Sequence, residues 1–234
     1  MRSEHNAIVG CIALMLVLSS SPALSAGPDG FCLIGQEWPG FKPAWVEPAT
    51  ISGGGETFHV LIDPGVRCDC PVGFEATTMD FFMTFPEETT LPVTITVSMG
   101  LSRAVTDPSG QLPWLPGQLV GETPTRDFTF SIPKEYVGFG IALESECAGM
   151  GEPYFLSFTI HSVMDPPGGF CTDGSGTPEE GRSLTQVDGQ WVDMVAAGIL
   201  TRGDLVVSGF AQCCEDPVGT SLRNWSSIKT LFHD

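Results

Sequence analysis

The brevity of the apolar runs is what most constrains this chain. The cleanest is Val93-Thr94-Ile95-Thr96-Val97-Ser98-Met99, which alternates an apolar face with a hydroxyl face. Period two with β-branched residues on both faces specifies a half-buried strand and does not fit the spacing of an amphipathic helix. Phe58, Val60 and Ile62 alternate in the same way with Thr57, His59 and Leu61. Comparable runs occupy residues 79–85, 128–132, 137–143, 154–161, 191–195 and 204–210. Turns such as Asp63-Pro64-Gly65 and Asp107-Pro108-Ser109-Gly110 separate them, and Gly (28) with Pro (19) makes up about a fifth of the 234 residues. No convincing amphipathic helix occurs, although residues 194–200 suit a short turn.

About eight strands predict an all-β chain, a two-sheet antiparallel β-sandwich of jelly-roll type, with a closed barrel as the alternative. Three stretches read as irregular. Residues 27–55 are rich in Pro and Gly and carry Trp38 and Trp45, residues 101–125 form a long connection around Trp114, and residues 165–189 form a Gly-rich acidic loop. Long connections of this kind are often functional.

The N-terminus reads as an export signal, with Arg2 ahead of a nearly all-apolar run over residues 7–18 and small residues over 19–26. Ile8-Val9-Gly10-Cys11 is not a lipidation box, because the apolar run follows Cys11. Residues 1–26 are therefore expected to be removed, leaving residues 27–234 as a single sandwich domain that is secreted, periplasmic or at the cell surface. No later stretch is long and apolar enough to predict a membrane span. Loss of the signal removes one Arg and one Glu, so the net charge stays at −18. That balance argues against nucleic acid and anionic lipid as partners and fits cations, basic partners or a solvated exterior.

Cysteine usage agrees with export. Cys32, Cys68, Cys70, Cys147, Cys171, Cys213 and Cys214 read as a disulfide framework with one thiol left over. Cys68-Asp69-Cys70 and Cys213-Cys214 make loops too short to close on themselves, so each pair is expected to reach outward. Zinc is the sharper reading of those pairs, but export and the lack of Cys-x-x-Cys favour bridges. Gly30-Phe31-Cys32 recurs as Gly169-Phe170-Cys171, and the Cys-Pro-Val-Gly region at 68–73 recurs loosely at 213–219. Too little chain follows Cys214 for tandem domains, so this echo reads as two bridged corners of one sandwich.

Four segments carry a family resemblance: Cys68-Asp69-Cys70-Pro71-Val72-Gly73-Phe74, Tyr154-Phe155-Leu156-Ser157-Phe158, Trp191-Val192-Asp193-Met194-Val195 and Cys213-Cys214-Glu215-Asp216-Pro217. In them the chain resembles a group of exported bacterial β-sandwich proteins of uncharacterised activity with a C-terminal Cys-Cys-Glu-Asp-Pro motif. The resemblance implies fold and export, and it transfers no activity. Where that group has a second Cys-x-Cys, this chain has Ser145-Glu146-Cys147. One lost cysteine would explain the odd count and leave a former partner unpaired.

Catalytic motifs are missing. No Gly-x-Ser-x-Gly elbow and no His-Glu-x-x-His occurs, and His59 and His161 fall opposite the apolar set of their strands, where a solvated histidine is expected. A carboxylate pair for glycan hydrolysis cannot be located among 28 acidic residues. The expected role is non-catalytic: an extracellular binding protein, with polysaccharide or another surface protein as partner. A structural component of the envelope or matrix is the alternative. Trp38, Trp45 and Trp114 are the candidate sugar platforms, against the plainer reading of lids over the core. No cofactor is implied. Calcium is the one metal considered, with Asp165, Asp173, Glu179 and Glu180 as ligands, although the spaced calcium-loop motif is missing.

Overall fold

The computed structural model describes residues 31–35, 44–45, 55–66, 68–84, 90–131, 137–162, 169–172, 178–200 and 203–215. The described chain is built from strands: β1 (Phe31–Gly35), β2 (Ala44–Trp45), β3 (Glu56–Ile62), β4 (Phe74–Thr84), β5 (Val93–Thr106), β6 (Trp114–Glu122), β7 (Arg126–Phe130), β8 (Val137–Ala142), β9 (Tyr154–Ile160), β10 (Gly169–Thr172), β11 (Ser183–Val187), β12 (Gln190–Asp193) and β13 (Val207–Cys213). One 3₁₀ turn, Pro64–Val66, follows β3. No helix among the described residues is long and apolar enough to cross a membrane.

Two antiparallel sheets form a sandwich. The six-stranded sheet runs β1-β13-β4-β10-β2 with β8 also on β4, and the seven-stranded sheet runs β12-β11-β3-β9-β5-β6 with β7 also on β5. Within these, β1-β13-β4-β8 and β3-β9-β5-β7 are an eight-strand set. Counted in chain order, the set reads first-eighth-third-sixth in one sheet and second-seventh-fourth-fifth in the other. That is the jelly-roll order, in which the chain changes sheet at nearly every connection. The expected fold class therefore holds, with about eight strands forming the sandwich, and the described residues add five flanking strands, β2, β6, β10, β11 and β12.

The core lies between the sheets and follows the alternation. Phe58, Val60 and Ile62 of β3, Ile95, Val97 and Met99 of β5, and Leu156, Phe158 and Ile160 of β9 face Phe74, Met79 and Phe81 of β4. Phe81 stacks on Phe158 at 4.4 Å, and Phe158 stacks on Phe58 at 5.1 Å, so one ring column joins the two sheets.

Three disulfides close one corner of the sandwich: Cys32–Cys68, Cys70–Cys213 and Cys147–Cys214. Cys68/Cys70 and Cys213/Cys214 each reach outward to different partners, as their spacing predicts. The echo reading needs correction, because all three bridges share a single corner. The remaining cysteine of the expected framework, Cys171, lies in β10 beside Trp45 of β2. A lost cysteine at Ser145 does not account for it. Ser145 meets β4 at Ala76, whose N–H donates to its Oγ at 2.7 Å, whereas β10 meets β4 at Met83 and Thr84. That distance along β4 is roughly 20 Å, far beyond the reach of a disulfide.

All three stretches expected to be irregular contain strands, and residues 27–55 hold β1 and β2. Residues 101–125 are mostly the β5–β6 hairpin, with register shifts at Leu101/Ser102 and Ser102/Ala104 and Pro116 opposite Ala104. Bulged pairing at the margin of a sheet is where a strand tolerates proline. Residues 165–189 contain β10 and β11, and β11 turns into β12 through Asp188-Gly189, both at positive φ as a two-residue hairpin turn demands.

Candidate functional site

The outward face of the seven-stranded sheet is largely polar in sequence, and its deeper half is enclosed in structure. Register places Trp191, Gln186, Thr57, Thr159 and Ser98 in one row across β12, β11, β3, β9 and β5. The next row along carries Asp193, Leu184, His59, Ser157 and Gly100, and beyond it lie Leu61, Phe155 and Ser102. Phe155 and Leu184 are fully buried but belong to no part of the central core cluster. The sheet curls to enclose them. Pro113, just before β6, comes against Gly181, just before β11, although three strands lie between those two in the sheet. Gly181 has φ +79° and no room for a side chain, since a Cβ there would lie 2.7 Å from Pro113 Cγ.

The loop carrying Gly181 is held by buried carboxylates. Asp193 Oδ2 accepts the Gly181 N–H at 2.6 Å, and its Oδ1 accepts from Val195 at 2.8 Å and Ala196 at 3.3 Å. Asp204 accepts from the Glu179 N–H at 3.3 Å and the Ser183 hydroxyl at 3.4 Å. The opposite flank is shaped by Asp107, whose carboxylate takes the Ser109 hydroxyl and the N–H groups of Ser109, Gln111 and Leu112 at 2.7–3.0 Å. The Ser109 hydroxyl leads those donors in holding the Asp107 carboxyl below its ordinary range.

Hydroxyls line the more open half of the face. Thr57 and Thr159 share a hydrogen bond at 2.8 Å, Thr94 and Thr129 share one at 2.9 Å, and Thr96 donates to Asp127 at 2.7 Å. Ser98 Oγ and His161 Nε2 are 2.8 Å apart. This Ser–His pair is the nearest approach to hydrolytic chemistry here. Its serine lies inside a strand, where the preceding Val97 is paired to both β9 and β7, so the surrounding backbone serves the sheet rather than an oxyanion.

The deeper half holds His59, which sequence reasoning left as a solvated residue. It does face away from the core, but it is only 9% exposed, boxed edge-on by Trp191 at 4.9 Å and Phe155 at 6.2 Å. Desolvation lowers its pKa to about 4, so the imidazole is neutral at physiological pH. His59 Nδ1 and Ser102 Oγ are buried and find no hydrogen-bond partner among the described residues.

Of the sequence candidates, Trp114 is half-buried at the start of β6, opposite Thr106. Trp45 lies in β2, its side chain outside the described set, and Trp38, Asp165 and Asp173 fall outside the described residues. Glu179 is exposed and pairs with Arg182 at 3.0 Å, and Glu180 is exposed. No three His, Cys, Asp or Glu side chains converge on a metal position among the described residues. Sequence reasoning missed Trp191, Gln186, His59 and Ser102. Alternation marked only His59 as outward-facing, Ser102 and Gln186 fell in stretches read as irregular, and the enclosure of that face depends on a curl that alternation does not encode.

The fold and this face define a disulfide-stapled jelly-roll sandwich with an enclosed polar sheet face. No protein family matches the sequence, and no curated protein is similar to it. Among solved structures, the chain is similar to the cysteine protease and lectin-like domains of Cwp84, a surface layer associated protein of Clostridium difficile. The identity is 8% and the TM-score 0.44, over 69% of this chain and 33% of that one. What this chain does has to come from its own residues.

Proposed function

We propose that this chain is an exported, non-catalytic extracellular protein that binds carbohydrate on the curled face of its seven-stranded sheet. Three disulfides agree with an oxidising exterior. One observation carries the binding reading: Trp191, Gln186, Thr57, Thr159 and Ser98 stand in a row, one on each of five neighbouring strands. Four strand spacings make the row about 19 Å long, the scale of an oligosaccharide. Its chemistry is that of sugar recognition, with an aromatic ring at one end for the sugar C–H surface and amide and hydroxyl groups for the sugar hydroxyls.

The test is binding of the oxidised chain to an array of glycans and polysaccharides, with calcium and with chelator. Saturable binding that weakens by about tenfold or more in Trp191→Ala and Gln186→Ala supports the reading, since tenfold corresponds to about one lost contact of 1.4 kcal/mol. Binding that survives both but is lost in Trp38→Ala, Trp45→Ala or Trp114→Ala moves the site to the tryptophans of the sequence reading. Loss with chelator adds a metal, with Asp165, Asp173, Glu179 and Glu180 as its first candidates. Absence of any binding sinks the proposal. An assembly role is then the second reading, favoured by the exposure of Phe31 (47%) and Phe210 (50%) on the other sheet.

A further inference from the structure

The three disulfides of the corner differ in what covers them. Cys32–Cys68 is buried at both ends, at 6% and 5% exposed, and Cys70–Cys213 is buried at Cys70, which is 6% exposed. Cys147–Cys214 is open, with Cys147 exposed and Cys214 half-buried. An outside thiolate must reach a sulfur to attack it, so the exposed bridge exchanges first. Both of its ends are also pinned without it. Ala76 N–H donates to Ser145 Oγ at 2.7 Å, Glu146 N–H donates to the Val120 carbonyl at 3.0 Å, and Phe74 and Ala148 exchange two backbone bonds at 2.8 Å. Cys214 keeps its N–H on the Gly73 carbonyl at 2.9 Å and follows Cys213, itself bridged to Cys70. Opening Cys147–Cys214 therefore leaves both cysteines in place, and exchange needs no unfolding.

The surroundings of this bridge carry one sign of charge. Glu146 precedes Cys147, Glu215 follows Cys214, Asp69 sits between Cys68 and Cys70, and Glu75 follows Phe74, all four exposed. The described cations belong elsewhere. Arg103 is held by Glu152 at 2.8 Å, Arg182 by Glu179 at 3.0 Å, and Arg126 stands opposite Val97 on the seven-stranded sheet, whose outward face also carries His59 and His161. Arg67 falls outside the described residues. Exposed charges still act over about 10 Å at 0.1 M salt, so Glu146 and Glu215, next in sequence to the two cysteines, bear on anything joined there. A cation brought to either sulfur is stabilised and an anion is disfavoured.

We infer that Cys147–Cys214 is a thiol–disulfide exchange site selective for positively charged thiols, such as a cysteine flanked by basic residues. The incoming thiolate attacks Cys147 Sγ and forms a new S–S bond to it. The Cys147–Cys214 bond breaks, and Cys214 leaves as a thiolate that takes up the proton given up by the incoming thiol. One disulfide replaces another, so no oxidant or reductant is consumed. The freed Cys214 stays beside Cys147 and can reseal the bridge, so the balance is set by how well the corner accommodates the group that joins it. The site stands whatever the curled face binds.

The test uses the oxidised full chain and three capped tripeptides, Lys-Cys-Lys, Ser-Cys-Ser and Glu-Cys-Glu, at equal concentration. Samples are quenched in acid and mapped by mass spectrometry, and each yield is divided by that peptide's exchange with hydroxyethyl disulfide. The adduct is expected on Cys147, with Cys32–Cys68 and Cys70–Cys213 intact. The Lys peptide should exceed the Glu peptide by about tenfold at low ionic strength, with Ser-Cys-Ser between them, and the gap should narrow in about 1 M salt. Glu146→Gln/Glu215→Gln should shrink the gap several-fold at low salt while the melting transition is retained. Should that variant fail to fold, the salt series on the wild type decides the same point. Absence of a Cys147 adduct in the folded chain, earlier opening of either other bridge, or equal yields from the Lys and Glu peptides overturns the inference.

Discussion

The outward faces of the two sheets invert the usual rule in opposite ways. On the six-stranded sheet, Leu33 pairs with Phe210 and Phe31 lies two residues along the same face, with Phe31 and Phe210 exposed. Those exposed rings share the face with Gln212, Thr78 and Asp80. On the seven-stranded sheet the deeper half of the outward face is enclosed, and it holds His59 and Ser102 with unmet polar atoms. The difference teaches where selection beyond folding is acting. An exposed apolar face costs solubility and leaves the folded state intact, whereas enclosed polar atoms without partners subtract directly from stability. A chain keeps such a cost where the groups serve something other than the fold.

The sandwich tolerates that cost because its corner is covalent, and the largest expected effect lies there. Cys70–Cys213 joins residues 143 positions apart, Cys147–Cys214 spans 67 and Cys32–Cys68 spans 36. Loop-closure entropy ranks their loss at about 5, 4.4 and 3.8 kcal/mol respectively. Denaturant unfolding of Cys70→Ser/Cys213→Ser should show the largest of the three drops, while glycan affinity below the unfolding transition stays unchanged. Loss of affinity at the same point would show that corner and curled face are one unit, and the contrast between them would break.

The second effect is acid sensitivity from His59. Its pKa of about 4 in the folded chain lies below the 6.5 of a free imidazole. Between those values the unfolded chain holds more protons, so stability rises with pH and is lost as pH falls from 6.5 toward 4. The full swing is on the order of 3 kcal/mol. Asp80 on the opposite sheet, whose carboxyl burial pushes upward, acts with the other sign. The wild type minus His59→Phe difference isolates the histidine. Unfolding at stepped pH should find His59→Phe more stable by about 1–3 kcal/mol at pH 7, with its acid slope reduced. A less stable His59→Phe at pH 7 would mean that the imidazole supports the fold, and the two faces would no longer differ in kind.

The same contrast explains what was legible in sequence. All eight runs flagged by alternation contain strands, because period two reports burial on one side directly. β11 was missed although Asp188-Gly189 signals its hairpin, since Gly and acidic residues upstream made the whole stretch read as loop. β6 was missed because Pro113, Pro116, Gly117 and Gly121 hide a bulged strand. The site was barely legible. Trp191 and His59 lie 132 positions apart in the chain and meet only because β11 and β12 extend the sheet beside β3. The burial of His59 further depends on the sheet curling until Pro113 reaches Gly181.

The smallest expected effect tests that curl. Asp107 orders the tip that delivers Pro113, with both carboxylate oxygens accepting from residues 109–112. Those donors hold its pKa down, so the carboxylate's contribution is in place above the ordinary range and is lost only as pH falls below it. Asp107→Asn turns one acceptor into a donor facing N–H groups. Amide exchange at Ser109, Gln111 and Leu112 should accelerate, exchange at Phe158 in the core should stay unchanged, and glycan affinity should fall only a few-fold. The pattern matters more than its size. Faster exchange at the tip with unchanged affinity would separate the curl from recognition and leave His59 and Ser102 enclosed for a reason internal to the sheet. Faster exchange with weaker binding would tie the enclosure of the polar face to the ligand it takes.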